Sequence, residues 1–234
     1  MKISIGIPCF KQAEYLVGAV DSALGQTYED IEIIIVNDGS PDKTGEIAAK
    51  YQLAHPFKVK VIHQVNKGLA SARNSAIMNM TGEYFLPLDA DDILAQNCVE
   101  EIVKKAEETN ADIIGPSMTT FGQAVETVIV MENPTLTDFL VGNRLGYFSA
   151  IRKSCLLECG GYSPKMDVLG GYEDLHLWFD LLTRGKKIAT IQTPLVLYRT
   201  KSQSMWKDAM KNHDKLMKQI YNDFPQVLPT EVKA

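Results

Sequence analysis

The sequence predicts an α/β protein built on a doubly wound, mostly parallel sheet. Three observations lead to this prediction: short β-branched runs alternate with helical patterns in the first half, these runs are apolar at nearly every position, and polar clusters follow two of them. Strands that are apolar throughout are typical of parallel sheets, which helices cover on both faces. Ligands of such sheets bind beyond the carboxyl ends of the strands.

The first half shows strict strand–helix alternation. Apolar residues at Leu16, Val20 and Leu24 recur at helical spacing, and Ser40 with Pro41 suits the start of the second helix. The run at 31–36 is continuous and β-branched, which predicts a central strand buried on both faces. The predicted strands span 3–7, 31–36, 59–63, 84–88 and 112–115, and the predicted helices span 13–24, 41–53, 68–79 and 98–109.

The second half is less regular. Gly160-Gly161 ends a short helix around Cys155, and Glu173-Asp174 opens a helix that reaches Arg184. The remaining predicted strands span 125–131, 146–151, 187–191 and 195–198, and the remaining predicted helices span 134–141 and 205–224. A soft boundary near residue 118 divides one continuous body into lobes of residues 1–118 and 119–204, followed by a C-terminal amphipathic helix and tail at 205–234.

Composition excludes several classes of protein. The 234 residues are 45% hydrophobic and 23% charged, which excludes a disordered tail, a collagen and a coiled coil. A formal net charge of −5 argues against a general nucleic-acid binder, because phosphate binding needs clustered Lys and Arg.

No apolar run approaches the ~20 residues that span a bilayer. Pro8 and Lys11 interrupt the apolar N-terminus, and no CxxC pair occurs, so we expect a cytoplasmic protein with reduced thiols and no signal peptide.

The acidic segment Asp89-Ala90-Asp91 follows the fourth predicted strand. Two carboxylates that converge at a strand end suit Mg²⁺ or Mn²⁺ bridging a diphosphate. Acidic clusters after strands are also common in ordinary loops, and here Asp92 could instead cap the following helix.

Two further clusters lie at predicted strand ends. Asp38 follows the second strand and can accept a hydrogen bond from a nucleobase N–H, or it can belong to an ordinary turn. Gly68 permits close backbone approach at a helix N-terminus, which favours anions. Arg73 lies one and a half turns into that helix, where it can reach a phosphate, pair with the acidic segment, or remain a solvated surface residue.

Taken in order, these motifs resemble those of family-two glycosyltransferases of the GT-A fold. The matching residues are Pro8 and Phe10, Ser22 and Gln26, Val36 to Ser40, Asn66 with Gly68, Ala72 to Asn74, Asp89 to Asp92, Gly160 to Tyr162, Glu173 to Trp178, and Tyr198 with Arg199. They cover roughly residues 3–204. The resemblance implies transfer of a sugar from a nucleotide diphosphate sugar, with inversion at the anomeric carbon, to a hydroxyl of a glycan or other acceptor, as in polysaccharide biosynthesis.

The resemblance assigns a donor site to lobe 1–118. It implies that Pro8, Phe10 and Asp38, and less surely Glu14, hold the base, commonly uracil. Asp89 and Asp91, with Ala90 between them, would hold the ribose and a Mn²⁺ or Mg²⁺ ion, Asp91 in direct contact. Arg73 and Gly68 would lie near the donor phosphates or sugar.

The resemblance assigns the acceptor site and the general base to lobe 119–204. Asp174 is the expected base, with Glu173 as the second choice; outside the family, both residues simply suit the first turn of a helix. Trp178, one turn later, could stack on an acceptor sugar ring, or it could pack in the core.

Lys201 departs from the family pattern. Relatives often carry a His shortly after Tyr-Arg, where it completes the metal shell. A protonated Lys cannot ligate a metal but can hold a diphosphate as a point charge. Lys201 therefore leaves the metal dependence open.

The predicted last helix carries an apolar stripe. It consists of Trp206, Met210, Met217, Ile220, Tyr221 and Phe224. This stripe could pack on its own domain, contact a second copy of the chain, or lie on a membrane surface at the inner face.

The sequence therefore favours a metal-assisted, inverting transferase that uses a UDP-sugar. Two alternatives stay open: a non-catalytic binding module derived from a transferase, and a sugar nucleotidylyltransferase. The second usually needs a Gly-rich, basic loop after its first strand, and the segment from Pro8 to Gln12 is not one. The sequence does not define the sugar, the acceptor or the oligomeric state.

Overall fold

A mixed sheet runs through the computed structural model, which describes residues 1–202 and 205–227. Over these residues its strands are β1 (Ile3–Cys9), β2 (Ile31–Asp38), β3 (Val59–Gln64), β4 (Tyr84–Pro87), β5 (Ile93–Leu94), β6 (Ile113–Gly122), β7 (Thr127–Val128), β8 (Ala150–Arg152) and β9 (Ile188–Thr200). Their spatial order is β3-β2-β1-β4-β8-β6-β9-β5, with β7 paired to β6. The β3-β2-β1-β4 half is parallel, and β8 joins it to β6 by antiparallel pairing on both sides.

Helices cover both faces of this sheet. They are α1 (Leu16–Leu24), α2 (Thr44–Ala54), α3 (Leu69–Asn79), α4 (Cys98–Thr109), α5 (Leu136–Phe139), α6 (Lys153–Cys159), α7 (Pro164–Leu169), α8 (Glu173–Thr183), α9 (Met205–Lys211) and α10 (His213–Asp223). Buried residues of α1, α2 and α4 form one apolar cluster with the sheet, and those of α3, α6, α8 and α10 form a second. Neighbouring residues of β2 belong to opposite clusters: Ile33 to the first and Ile34 to the second. The predicted doubly wound arrangement is therefore confirmed.

The second half of the sheet differs from the prediction. The two strands predicted at 187–191 and 195–198 form the single strand β9, which runs parallel to β6 with a register shift near Ser117. This pairing extends β6 to Gly122, well beyond the predicted 112–115, so residue 118 lies within a strand. The added part of β6 contains several polar residues, so it forms no apolar run from which a strand could be predicted.

Smaller differences involve turns and short elements. The strand predicted at 125–131 is limited to β7, and the strand predicted at 146–151 begins only at Ala150. Helix α7 lies between Gly160-Gly161 and Glu173-Asp174, where no helix was predicted. The predicted last helix is divided at Asn212 into α9 and α10.

The C-terminal part of the apolar stripe packs on the chain itself. Met217, Ile220 and Phe224 are buried in the second apolar cluster, together with Leu216, whereas Met210 on α9 is 46% exposed. This confirms the self-packing interpretation for α10; the Trp206 side chain and residues 228–234 lie outside the described part of the chain. Across residues 1–202 and 205–227, no helix has the length and apolar character needed to cross a bilayer. The cytoplasmic location and the membrane contact stay predictions.

Tight packing between β1 and β4 generates a stability prediction. A Cβ added at Gly6 would overlap the ring of Phe85, which is fully buried. Gly6→Ala should therefore lower the free energy of unfolding by about 1–3 kcal/mol through overpacking. Gly18, exposed in α1 with no atom within 4 Å of an added Cβ, is the matched control. Gly18→Ala should instead raise stability, by up to about 1 kcal/mol. Urea unfolding measures both, and equal effects of the two changes would contradict the packing argument.

Candidate active site

A cleft of about 490 Å³ opens where β1, β2 and β4 end. We call it the strand-end cleft. It brings together eight of the residues singled out in the sequence: Pro8, Phe10, Asp38, Gly68, Asp89, Ala90, Asp91 and Lys201. Glu14 is exposed and does not line this cleft, so the structure separates it from the predicted nucleotide site.

Asp38 is buried and shapes the wall of the strand-end cleft. Its Oδ1 accepts hydrogen bonds from Gln64 Nε2 at 2.7 Å and from the Lys67 backbone N at 2.9 Å. Its Oδ2 accepts one from the Gly68 backbone N at 2.9 Å. A carboxylate offers about four acceptor positions, so one remains for a ligand.

The N-terminus of α3 is occupied by a side chain. Both Asp167 carboxylate oxygens accept hydrogen bonds from the Ala70 backbone N, at 2.9 and 3.1 Å. A Cβ at Gly68 would lie 2.5 Å from Asp167 Oδ2, and Gly68 has φ +93°, so only glycine suits this position. The expected close approach at Gly68 is present, but the anion on this helix end is Asp167 rather than a ligand. Burial and the charge of Glu173 raise the pKa of Asp167 to about 6.

Arg73 is buried between two carboxylates. Its side chain is 1% exposed, with Nη2 2.8 Å from Asp89 Oδ1 and Nη1 2.7 Å from Glu173 Oε1. The rings of Tyr147 and Tyr162 lie 5.0 and 5.2 Å from its guanidinium carbon. The solvated-surface interpretation is therefore wrong, and the pairing with the acidic segment is confirmed. A guanidinium suits this role because its planar fork can serve two carboxylates at once.

The two carboxylates predicted to bind a metal have separate cationic partners. Asp89 contacts Arg73, and Asp91 Oδ2 lies 2.6 Å from Lys201 Nζ. Within the described residues, no group of three or more His, Cys, Asp or Glu side chains is arranged to hold a metal ion. As they are placed, Asp89 and Asp91 do not fit the predicted Mn²⁺ or Mg²⁺ site.

Asp92 connects the acidic segment to the second half of the sheet. It is buried and accepts hydrogen bonds from Tyr147 Oη at 2.5 Å and from the Arg199 backbone N at 2.6 Å. It therefore does not cap the following helix. Burial, followed by the charges of Asp89 and Asp91, raises the pKa of Asp92 to about 8. Tyr147 Oη also accepts from the Asp89 backbone N at 3.0 Å, so one phenol holds both ends of this segment.

Asp174 lies at the junction of two further cavities. One, of about 130 Å³, adjoins the strand-end cleft, since Leu69, Asp89 and Tyr198 line both. The other, of about 600 Å³, lies against α9 and α10, and we call it the helical groove. Asp174 and Tyr172 line the small cavity and the helical groove alike. Asp174 therefore lies between the small cavity and the helical groove, and the small cavity shares wall residues with the strand-end cleft.

The neighbouring acids of α8 have different environments. Glu173 is held by Arg73, whereas Asp174 Oδ2 accepts a hydrogen bond from Asn143 Nδ2 at 2.8 Å. Burial, and then the negative charge of Glu173, raise the pKa of Asp174 to about 7. Tyr172, in the left-handed region at φ 62°, directly precedes them and fixes the entry to the helix. Glu173 is therefore ion-paired, whereas Asp174 contacts a neutral amide.

Trp178 does not lie in the site. Its side chain is 0% exposed and belongs to the second apolar cluster. Stacking of Trp178 on an acceptor sugar is therefore wrong, and the core interpretation is correct, because no sugar ring can reach a fully buried indole.

Sequence reasoning missed several residues of the site. Tyr147 and Asn143 belong to no motif, and no signal in the sequence identifies them. Tyr198 and Arg199 were part of the resemblance, yet nothing in the sequence shows that both line the strand-end cleft. Such partners cannot be predicted from residues that are close in the sequence, because Asn143 contacts a carboxylate 31 positions away.

Comparison with known proteins identifies a family. Residues 4–166 match the sequence profile described as "Glycosyl transferase family 2". The chain is 41% identical over 113 residues to the uncharacterized glycosyltransferase EpsJ of Bacillus subtilis (strain 168), which covers 48% of this chain and 33% of that protein. It is also 41% identical over 113 residues to the glycosyltransferase GlyG of Streptococcus pneumoniae serotype 4 (strain ATCC BAA-334 / TIGR4), covering 48% of this chain and 37% of that protein. The match thus spans about a third of these relatives.

Solved structures share the fold. S. aureus TarS 1–349 in complex with UDP-GlcNAc aligns with a TM-score of 0.78 at 20% identity, over 94% of this chain and 65% of that one. Mannosyltransferase PcManGT from Pyrobaculum calidifontis, in complex with GDP-Man and Mn²⁺, aligns with a TM-score of 0.72 at 16% identity, over 96% of this chain and 64% of that one. The predicted GT-A type fold is confirmed.

The Arg73 ion pairs generate a second prediction. Arg73→Met leaves two largely buried carboxylates without a counter-charge and should cost about 3–5 kcal/mol of stability at pH 7. The loss should shrink at pH 5, because burial raises the pKa of Asp89 to about 6 even with Arg73 beside it, so this uncompensated carboxyl takes up a proton as the pH falls. Urea unfolding at the two pH values measures this.

Arg184 provides the control. It also pairs with two carboxylates, those of Asp180 and Glu158, but its side chain is 39% exposed. Arg184→Met should cost no more than about 1 kcal/mol, since exposed ion pairs contribute little. An Arg73→Met loss as small as that would show that the buried ion pairs are not required.

Proposed function

This chain belongs to glycosyl transferase family 2, and from that premise we propose that it transfers a sugar from a UDP-sugar to a hydroxyl group, with inversion at the anomeric carbon. The observation that carries the proposal is the position of Asp174, which lines both the helical groove and the small cavity beside the strand-end cleft. A base at this junction can reach an acceptor that enters from one side while the donor lies on the other.

The donor is proposed to bind in the strand-end cleft. Pro8 and Phe10 offer apolar contacts to a base, and Asp38 keeps one acceptor position for a base N–H. Uracil presents such a donor at N3. The structural neighbour TarS is solved with UDP-GlcNAc, and PcManGT with GDP-Man, so the choice between uracil and guanine is part of the test below.

Asp174 is proposed as the general base. It takes the proton of the acceptor hydroxyl as that oxygen attacks the anomeric carbon. The bond from this carbon to the diphosphate oxygen breaks on the opposite face, the electron pair leaves with the nucleoside diphosphate, and the configuration inverts. A carboxylate whose pKa is raised to about 7 is a stronger base at neutral pH than an ordinary Asp.

Glu173 is assigned a positioning role rather than that of a base. Its Oε1 contacts Arg73 at 2.7 Å and its side chain is 8% exposed. A carboxylate oxygen that already binds a guanidinium is a less suitable proton acceptor than one that contacts a neutral amide.

The acceptor is proposed to be a glycan bound in the helical groove. The groove combines aromatic and apolar side chains with amide, imidazole and carboxylate groups, among them Tyr172, Tyr221, His213, Asn143 and Asn222. Binding sites of this kind are mostly apolar with a few placed polar groups, and sugars offer both apolar ring faces and hydroxyls.

The proposal is tested by titration calorimetry of the protein with UDP and, separately, GDP, followed by a screen for UDP release from UDP-GlcNAc, UDP-glucose and UDP-galactose. Selective UDP binding with release from one donor is the expected result. Nucleotide binding without turnover of any donor would favour a non-catalytic binding module. No binding of either nucleotide would contradict the donor site.

Removing the base gives a third prediction. Asp174→Asn should lower UDP release by about 10²- to 10⁴-fold, the usual contribution of a positioned base, while the Kd for UDP stays within about twofold because Asp174 does not line the strand-end cleft. Asp180→Asn, on the same helix but paired with Arg184, is the matched control and should leave both values unchanged. Normal turnover of Asp174→Asn would exclude Asp174 as the base.

The pH dependence gives a fourth prediction. The pKa of Asp174 is raised to about 7, so the protonated, inactive form accumulates as the pH falls below neutrality. The kcat for UDP release should therefore rise with pH through about 7 and then level. A rise of kcat centred near pH 4, the usual range of a carboxyl pKa, would show that Asp174 does not have the environment described.

A further inference from the structure

Lys201 directly follows β9 and places its ammonium in the strand-end cleft. Its Nζ lies 2.6 Å from Asp91 Oδ2 and 4.1 Å from the centre of the Tyr15 ring. The side chains of Lys201 and Asp91 are 28% and 21% exposed, so the pair is partly shielded but open to a ligand. The carboxylate and the ring together hold the ammonium at one position.

Arg199 supports this arrangement from the same strand. Its Nε donates to the Asp91 backbone O at 2.9 Å. Its guanidinium carbon lies 4.8 Å from the Tyr15 ring and 4.3 Å from the Phe121 ring. The Tyr15 ring thus contacts both cations, and the strand-end cleft receives two positive charges from the end of β9.

A divalent metal does not fit beside this ammonium. Asp91 already has a cation 2.6 Å from one oxygen, and Asp89 is bound to the buried Arg73. A metal ion on Asp91 would meet the repulsion of a neighbouring positive charge in a partly shielded site. One or two carboxylates can hold Mg²⁺ on a diphosphate, but each of these two already faces its own cation.

We propose that Lys201, rather than a divalent metal ion, supplies the positive charge that binds the donor diphosphate and neutralises it as it leaves. This inference rests on the proposed transferase function. An ammonium has three N–H donors; one serves Asp91, and two remain for phosphate oxygens. No bond to Lys201 forms or breaks: its role is to stabilise the charge that the diphosphate gains when its bond to the anomeric carbon breaks.

The experiment measures nucleotide binding with and without metal. The wild-type protein, Lys201→Met and Lys201→His are titrated calorimetrically with UDP and with GDP, in EDTA and in Mn²⁺. The wild-type protein should bind its preferred nucleotide with the same Kd in both buffers, within about twofold. Lys201→Met should weaken that binding by about tenfold to a hundredfold, the usual effect of losing a charge-assisted contact.

Lys201→His separates a cation from a metal ligand. A neutral imidazole is a good ligand for divalent metals, so this variant should bind weakly in EDTA and regain affinity in Mn²⁺. Lys60→His is the matched control: Lys60 is exposed on β3 and hydrogen-bonds Asn79, far from the cleft. It should bind as the wild-type protein does in both buffers, which shows that an added histidine alone confers no metal effect.

The outcomes distinguish the two proposals. Wild-type binding that requires Mn²⁺, or unchanged affinity in Lys201→Met, would overturn the role of Lys201 and leave the transferase proposal standing. An absence of UDP and GDP binding in every buffer would overturn both. Thermal unfolding of each variant, with the midpoint expected within a few degrees of wild type, shows that a loss of affinity is not a loss of folding.

Discussion

The buried ion pairs that Arg73 makes with Asp89 and Glu173 are the constraint on which the site depends. A guanidinium that is 1% exposed must have counter-charges held in place, because an unpaired buried charge is strongly destabilising. Its two partners come from the segment after β4 and from the first turn of α8, 100 positions along the chain. The requirement for neutralisation thus fixes the strand-end cleft and Asp174 relative to one another.

These ion pairs also give the two acids at the start of α8 different environments. Glu173 and Asp174 are adjacent in the first turn of α8, so their side chains leave the helix about 100° apart. One meets Arg73 and the other meets Asn143. Burial raises the pKa of Asp174, the negative charge of the neighbouring Glu173 raises it further, and the positive charge of Arg73 opposes both effects. A structural ion pair therefore also tunes the neighbouring acid.

The sequence predicted the first half of the fold well, because β1, β2 and β4 are buried, mostly apolar runs and helices such as α1 and α4 have a regular apolar spacing. The second half depended on pairing that no local pattern shows: beyond Pro194, β9 continues between β6 and β5. The motifs predicted which residues gather in the strand-end cleft, because the carboxyl ends of parallel strands meet at one edge of the sheet. They did not predict which side chains contact each other. Lys201 and Asp91, or Tyr147 and Asp92, are distant in sequence and meet only in the folded chain. Trp178 shows the reverse error, a motif residue whose side chain serves the core.

The acidic segment shows why these partner relations matter for chemistry. Three carboxylates within four residues would repel one another unless each had its own partner, and the fold supplies three: Arg73 for Asp89, Lys201 for Asp91, and Tyr147 with a backbone N–H for Asp92. This division leaves no two carboxylates of the acidic segment on one shared cation. It also places the Lys201 ammonium and the Arg199 guanidinium in the strand-end cleft. The contacts that make three neighbouring acids compatible with one folded segment therefore also bring positive charge into the cleft.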